Sequence, residues 1–253
     1  MSTRYFIRLA YDGATFCGWQ RQPNGITVQQ RLEEALSMML REPVSLTGAG
    51  RTDTGVHARE FYAHFDLPSP LAAQEREKLV FRLNSYLAGP VTLFEIRPVV
   101  SEAHARFSAL SRTYKYFVAR EPDPFRRAYT HYLYGPLDTD RMNRAAALLK
   151  DYADFTSFSK VDTDTATNLC RVTEAHWESA GTELVFTITA DRFLRNMVRA
   201  VVGTLLQVGT GKLDPDGFRA IIESLDRSAA GDSAPARGLF LWRVEYPGDI
   251  WVR

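Results

Sequence analysis

Apolar and polar residues alternate along Tyr5–Tyr11, Phe61–Leu67, Val91–Arg97, Thr113–Val118, Arg171–Trp177, Leu184–Ala190 and Phe240–Tyr246. A period of two sends successive side chains to opposite faces, so each run predicts a strand. Val44–Thr47 predicts a shorter one. Between these runs the spacing becomes helical. Val28, Leu32, Leu36 and Met39 form a stripe at i, i+4, i+8 and i+11, behind Thr27 and Gln30 in capping-box spacing. Further helices are predicted over Gln74–Leu87, stopped by Gly89-Pro90, over Asp138–Leu149, and from near Phe193. A last one follows Asp214-Pro215, with Phe218, Ile221, Ile222 and Leu225 as its buried face.

The first hundred residues therefore run strand, helix, strand, strand, helix, strand. The second half repeats that order with longer loops and one added helix, although no sequence repeat accompanies it. The expectation is an α+β fold of two ferredoxin-like βαββαβ halves, the arrangement of RNA-binding modules. Joined edge to edge, they would form one mixed, mainly antiparallel sheet flanked by helices, with a central RNA-binding cleft. The division is placed at residues 1–107, carrying the Asp53 loop, and 108–253. Ser228–Gly238 is small and polar and reads as a loop, mobile without a ligand.

The chain has 253 residues, 45% hydrophobic and 24% charged, as for an ordinary globular enzyme. No apolar run approaches the ~20 residues of a membrane span. The N-terminus reads as a strand and lacks the apolar core of a signal peptide, so a cytoplasmic location is expected. Cys17 and Cys170 form no CxxC pair, which argues against a disulfide framework or a zinc finger. A net charge of +1 means that any RNA site must arise from local clustering of basic residues. Such a cluster runs from His104 to Arg120, where Arg106, Arg112, Lys115 and Arg120 interleave with Phe107, Tyr114, Tyr116 and Phe117 and no acidic residue occurs. Basic groups reach phosphates and aromatic faces stack on unpaired bases, so the mixture suits partly opened RNA; a strand with one wet face fits it as well.

Two segments concentrate groups capable of chemistry. In TGAGRTDTGVHAREF, a loop between two strands carries Arg51, Asp53 and His57, with glycines at 48, 50 and 55. A dinucleotide fingerprint fails because its sixth position is Asp53, and a phosphate loop fails because Val56 and His57 follow Gly55. A carboxylate two residues from an arginine remains, which fits either a catalytic group or a surface turn with a local ion pair. In DRFLRNMVRAVVGTLL, Arg192, Arg195 and Arg199 are spaced to share one helix face, with Phe193, Met197, Val201 and Leu205 as a separate apolar stripe. Arginines so arranged would hold a carboxylate or phosphates, or form an exposed basic face. His57, His64 and His104 lack metal-ligand spacing and read as loop or strand-surface residues. Cys17 reads as a small buried thiol beside Trp19, and Trp242 and Trp251 as core or interface residues.

Six segments in order carry a resemblance: YDGATFCGWQRQPNGITVQQRLEEAL, GAGRTDTGVHA, HARFSALSRTYKYFV, DFTSFSK, RFLRNMVRAVVG and GLFLWRVEYP. Together they resemble the motifs of the tRNA pseudouridine synthase A family and cover nearly the whole chain. The resemblance implies an isomerase acting on uridines of the tRNA anticodon stem-loop, as a homodimer, without metal or organic cofactor and with no membrane or DNA partner. It assigns Asp53 as the catalytic carboxylate, Tyr114 as the residue that stacks on the target base, and Arg199 as the aspartate's partner. Arg51 would fill the gap left by the flipped nucleotide. Thr54 stands where alanine is common in the family, and VDTDTATNLCRV (residues 161–172) is an unusual approach to the following strand.

Pseudouridine formation needs no redox change or group donor, which fits a chain without cofactor motifs. Asp53 would act ionised, attacking C1′ or removing a ribose proton to give a glycal, with Arg199 as counter-charge. Tyr114 is also a candidate base for the C5 proton, although its ordinary pKa is ~10. Two rivals stay open: a non-catalytic tRNA-binding protein, and an N-glycosidase that releases the base.

Overall fold

The computed structural model describes residues 2–160 and 167–252. Residues 161–166, within the unusual approach noted above, lie outside the described residues. The fold is α+β, with mostly antiparallel strands and, among the described residues, five α-helices. It divides into two compact units, residues 1–110 with 241–253, and residues 111–240.

In the first unit, β1 (Thr3–Tyr11) lies between β4 (Val91–Val99) and β3 (His57–Leu67), antiparallel to both, and the short β2 (Thr47–Gly48) pairs with β3. In register, Tyr5 faces Phe65, Ile7 faces Ala63 and Leu9 faces Phe61. On the opposite face Phe6 is buried as well, between the half-buried Arg4 and Arg8. Phe6 packs against His64, Tyr246 and Trp251, with ring centroids 6.0, 5.2 and 5.8 Å apart. Where both faces are covered, alternation no longer marks the wet positions. His64 is accordingly buried, and so is His57, rather than lying at the surface as expected. Arg4 and Asp66 are cross-strand partners joined by two 2.8 Å hydrogen bonds, which hold the Asp66 carboxyl below its usual pKa.

Helix α1 (Val28–Leu40) starts at Thr27, whose hydroxyl accepts the Gln30 N–H. The capping box is only half made, because the Gln30 side chain donates to Glu34 instead. Helix α2 (Ala73–Leu87) packs on β4, and Asn84 exchanges hydrogen bonds with both backbone groups of Leu93.

In the second unit, β8 (Glu183–Ala190) lies between β5 (Ser111–Ala119) and β7 (Val172–Ala180), antiparallel to both. A short β6 (His131–Tyr132), which the pattern does not announce, runs parallel to β5. Helix α3 (Thr139–Leu148) is capped by Asp138 and tied to β7 by two hydrogen bonds between the Asn143 side chain and the Trp177 backbone. Helix α4 (Met197–Gly209) is buried along most of its length. Helix α5 (Pro215–Ser224) buries Phe218 and Ile222, whereas Leu225 is its left-handed C-cap and is 49% exposed, against the expected buried face. The last strand, β9 (Leu239–Glu245), begins in the second unit and ends in the first.

Candidate active site

The Asp53 loop joins β2 to β3 and rests on an aromatic floor. Trp19 stacks on Phe61 with centroids 4.1 Å apart, and Tyr11 packs beside both at 6.2 and 5.6 Å. All three are buried. Exposure alternates above this floor: Arg51 is exposed, Thr52 buried, Asp53 half-buried and Thr54 exposed. Thr52 turns inward, its hydroxyl 2.9 Å from the Tyr11 hydroxyl. The Val56 N–H donates to the Asp53 carbonyl at 3.1 Å, closing a turn in which Gly55 has φ +79°. That is the third position of a type II turn, which explains a glycine there. Gly50, by contrast, has an ordinary φ and open space where a Cβ would stand. His57 is buried at the foot of the loop; its Nδ1 accepts the Gly13 N–H at 3.1 Å and lies 3.0 Å from Asp12 Oδ1.

Asp53 and Arg51 thus sit on one loop of the first unit, and Tyr114 and Arg199 belong to the second. Tyr114 lies on β5, half-buried, with Phe193 edge-on at 5.1 Å and an interplanar angle of 85°. Phe193 supports that ring instead of starting a helix. The helix begins four residues later, after Asn196, which has φ +66° and donates from its side chain to the Ser233 hydroxyl. Arg192 and Arg195 therefore lie outside α4, and the expected three-arginine helix face does not exist. Asn tolerates the left-handed conformation better than most residues, so a helical pattern ran through a position that breaks the helix.

Arg199 is the arginine that α4 carries at this end. Its Nε donates to the Ala234 carbonyl at 2.7 Å, and the Ala234 N–H donates to the Arg199 carbonyl at 2.9 Å. The Gly231 N–H donates to Thr204 Oγ1 at 3.0 Å, and the buried Tyr116 hydroxyl donates to the Pro235 carbonyl at 2.9 Å. The segment expected to be a mobile loop is thus fastened to α4 and β5. It includes 3-10 turns at Arg227–Ala229 and Ala236–Gly238. Burial raises the Tyr116 pKa well above that of a free phenol, so this hydroxyl stays a donor.

The basic groups of the His104–Arg120 stretch largely have partners of their own. Arg112 donates to the Asp191 carbonyl, Lys115 lies 3.6 Å from Glu178, and Arg120 donates to the carbonyls of Leu133 and Gly135. Arg106 lies over the ring of Phe107, which is 74% exposed. Cys17 is only partly buried, with its thiol 3.8 Å from the Asn24 carbonyl, and so is not the buried thiol expected. The Cys170 thiol is buried and pushed up to about 12, which makes it a poor nucleophile. Trp251 packs in the first unit against Phe6 and Tyr62. Among the described residues no cluster of His, Cys, Asp and Glu could hold a metal ion, and no helix is long and apolar enough to cross a membrane.

The profile of a family described as tRNA pseudouridine synthase matches residues 145–247. The tRNA pseudouridine synthase A of Porphyromonas gingivalis is 55% identical over 251 residues, which cover 98% of this chain and 99% of that protein. The protein of the same name from Parabacteroides distasonis is 54% identical, with 98% of both chains covered. The one from Chlorobaculum tepidum is 41% identical over 95% of this chain and 96% of its own. Likeness of this degree over whole chains is common descent, and the chain belongs to the tRNA pseudouridine synthase A family.

Proposed function

We propose that this protein isomerises uridine to pseudouridine in the anticodon stem-loop of tRNA, with Asp53 as its nucleophile or base. The observation that carries the reading is the Asp53 loop. A half-buried carboxylate follows a threonine locked into the core and leads a closed turn, so the backbone that carries it is held before any substrate arrives. Family membership supports the substrate and the reaction.

The chemistry conserves atoms and electrons. The bond from C1′ to N1 breaks, the uracil turns within the site, a bond from C1′ to C5 forms, C5 loses its proton and N1 gains one. Asp53 starts the sequence by attacking C1′ or by removing a ribose proton; both routes use an ionised carboxylate. Arg199 is the proposed counter-charge, its guanidinium oriented through Nε by the Ala234 carbonyl. Tyr114 stacks on the loosened uracil, an interaction of ~1–3 kcal/mol in single-strand binders, and Phe193 keeps its ring upright. Arg51, exposed two residues from Asp53, fills the space left by the flipped nucleotide and offsets part of its unstacking cost of a few kcal/mol.

The ferredoxin-like reading of the halves, with a cleft for RNA, is part of the same proposal. In the first unit it is supported by the strand order β4-β1-β3 with β2 on β3. So are a homodimer spanned by one tRNA and a cytoplasmic location. The test is to incubate unmodified tRNA with the protein and map pseudouridine by chemical labelling and primer extension. Pseudouridine in the anticodon stem-loop is expected with wild type and absent with Asp53→Ala. Modification confined to another arm would overturn the stem-loop assignment, and bound tRNA without product would favour a binding protein.

A further inference from the structure

Thr52 is held at both ends. Its hydroxyl lies 2.9 Å from the Tyr11 hydroxyl, and its carbonyl accepts the Trp19 N–H at 3.2 Å. The same carbonyl comes so close to Gly18 that a Cβ there would stand 2.4 Å from it and 3.3 Å from the Asp53 carbonyl carbon. Gly18 also has φ +82°, which side-chain-bearing residues resist. Asp53 thus leaves a fixed peptide and enters the turn closed by Val56. Its Cα–Cβ direction is set by these contacts to the backbone on either side of it.

The hydroxyl pair is not needed to fill this space. Tyr11 and Thr52 are 4% and 8% exposed beside Trp19 and Phe61, where phenylalanine and valine would pack as well. Replacing both partners of a buried hydrogen bond by apolar groups of the same shape is close to neutral for stability. What the bond adds is direction, because it fixes the rotation of Thr52 about the loop where an apolar contact would let it slide.

We propose that the Tyr11–Thr52 hydroxyl pair, backed by Gly18, is a positioning device that aims the Asp53 carboxylate for reaction. This rests on the reading of Asp53 as the catalytic carboxylate. Tyr11 and Thr52 act through Asp53.

The test compares Tyr11→Phe, Thr52→Val, the double variant, Thr52→Ser and Asp53→Ala, measuring kcat and KM with tRNA and the thermal midpoint of each protein. Misplacement of a reacting group by about 1 Å costs up to ~100-fold in rate, so kcat should fall about ten-fold or more in Tyr11→Phe and Thr52→Val. KM should stay near that of wild type. The double variant should be no slower than the singles and should melt near wild type, which separates aim from folding. Thr52→Ser should recover most of the rate. A double variant with wild-type kcat, a change in KM alone, or no recovery by serine would overturn the proposal. An inactive Asp53→Ala beside an unimpaired hydroxyl-free variant would sink this inference and leave Asp53 standing. An active Asp53→Ala would remove both.

Discussion

At the scale of single residues, burial and partners decide which groups titrate. His64 is 7% exposed and accepts the Ala105 N–H at Nδ1, 3.0 Å away, a bond that only the ring unprotonated at that atom can make. Burial, with Arg4 and His104 nearby, lowers its pKa to about 4. A base whose folded pKa lies below its unfolded value binds more protons when unfolded. Stability is therefore complete above the unfolded pKa of ~6.5 and declines as pH falls towards 4, by at most ~3 kcal/mol from this group. The lowered pKa values of His104 and His131 act in the same direction. Denaturant unfolding at about pH 7.5 and about pH 5 should show a smaller pH loss for His64→Asn, whose amide oxygen can still accept from Ala105. Equal losses in both proteins would exonerate His64.

Among secondary-structure elements, the clamp between α4 and the segment from Gly231 to Pro235 carries the consequence. Gly203 lies so close to this segment that a Cβ would stand 1.8 Å from the Asp232 carbonyl oxygen. Gly203→Ala must push the segment away, and with it the Ala234 carbonyl that holds Arg199 Nε. A loss of ~2 kcal/mol in stability, typical of overpacking, should accompany slower product formation, read by denaturant titration and single-turnover kinetics. Wild-type stability in this variant would contradict the clamp. The same region shows what the amino-acid pattern conceals. The strands and most helices are legible because period-2 and helical spacings survive in side-chain chemistry. The start of α4 is not, since Phe193 continues an apolar stripe that Asn196 interrupts only through its backbone. The Gly231–Pro235 segment looks like a loop by composition, yet apart from the Ser233 hydroxyl its anchors are backbone carbonyls and N–H groups, which composition does not reveal. Asp53 and Arg51 stand out because glycines and strands frame them, whereas the role of Thr52 depends on a partner hydroxyl forty-one positions earlier.

For the whole molecule, a net charge of +1 leaves little long-range attraction for RNA, and many basic side chains of the His104–Arg120 stretch already have partners within the chain. On the proposed reading one tRNA is bound across two copies of the chain, which doubles the basic surface open to it. Sedimentation over a wide concentration range should show a species of twice the chain's mass, and a monomer at every concentration would contradict this. tRNA affinity should fall with added salt, because releasing condensed counterions gains less free energy at higher salt.

On the proposed reading Asp53 starts an isomerisation in which C5 of uracil loses its proton. The most direct test is release of tritium from tRNA labelled at uracil C5, with wild type and Asp53→Ala side by side. Release by wild type alone, with pseudouridine recovered from the RNA, is the predicted result. Equal release by both proteins, or none by wild type while tRNA remains bound, would contradict it.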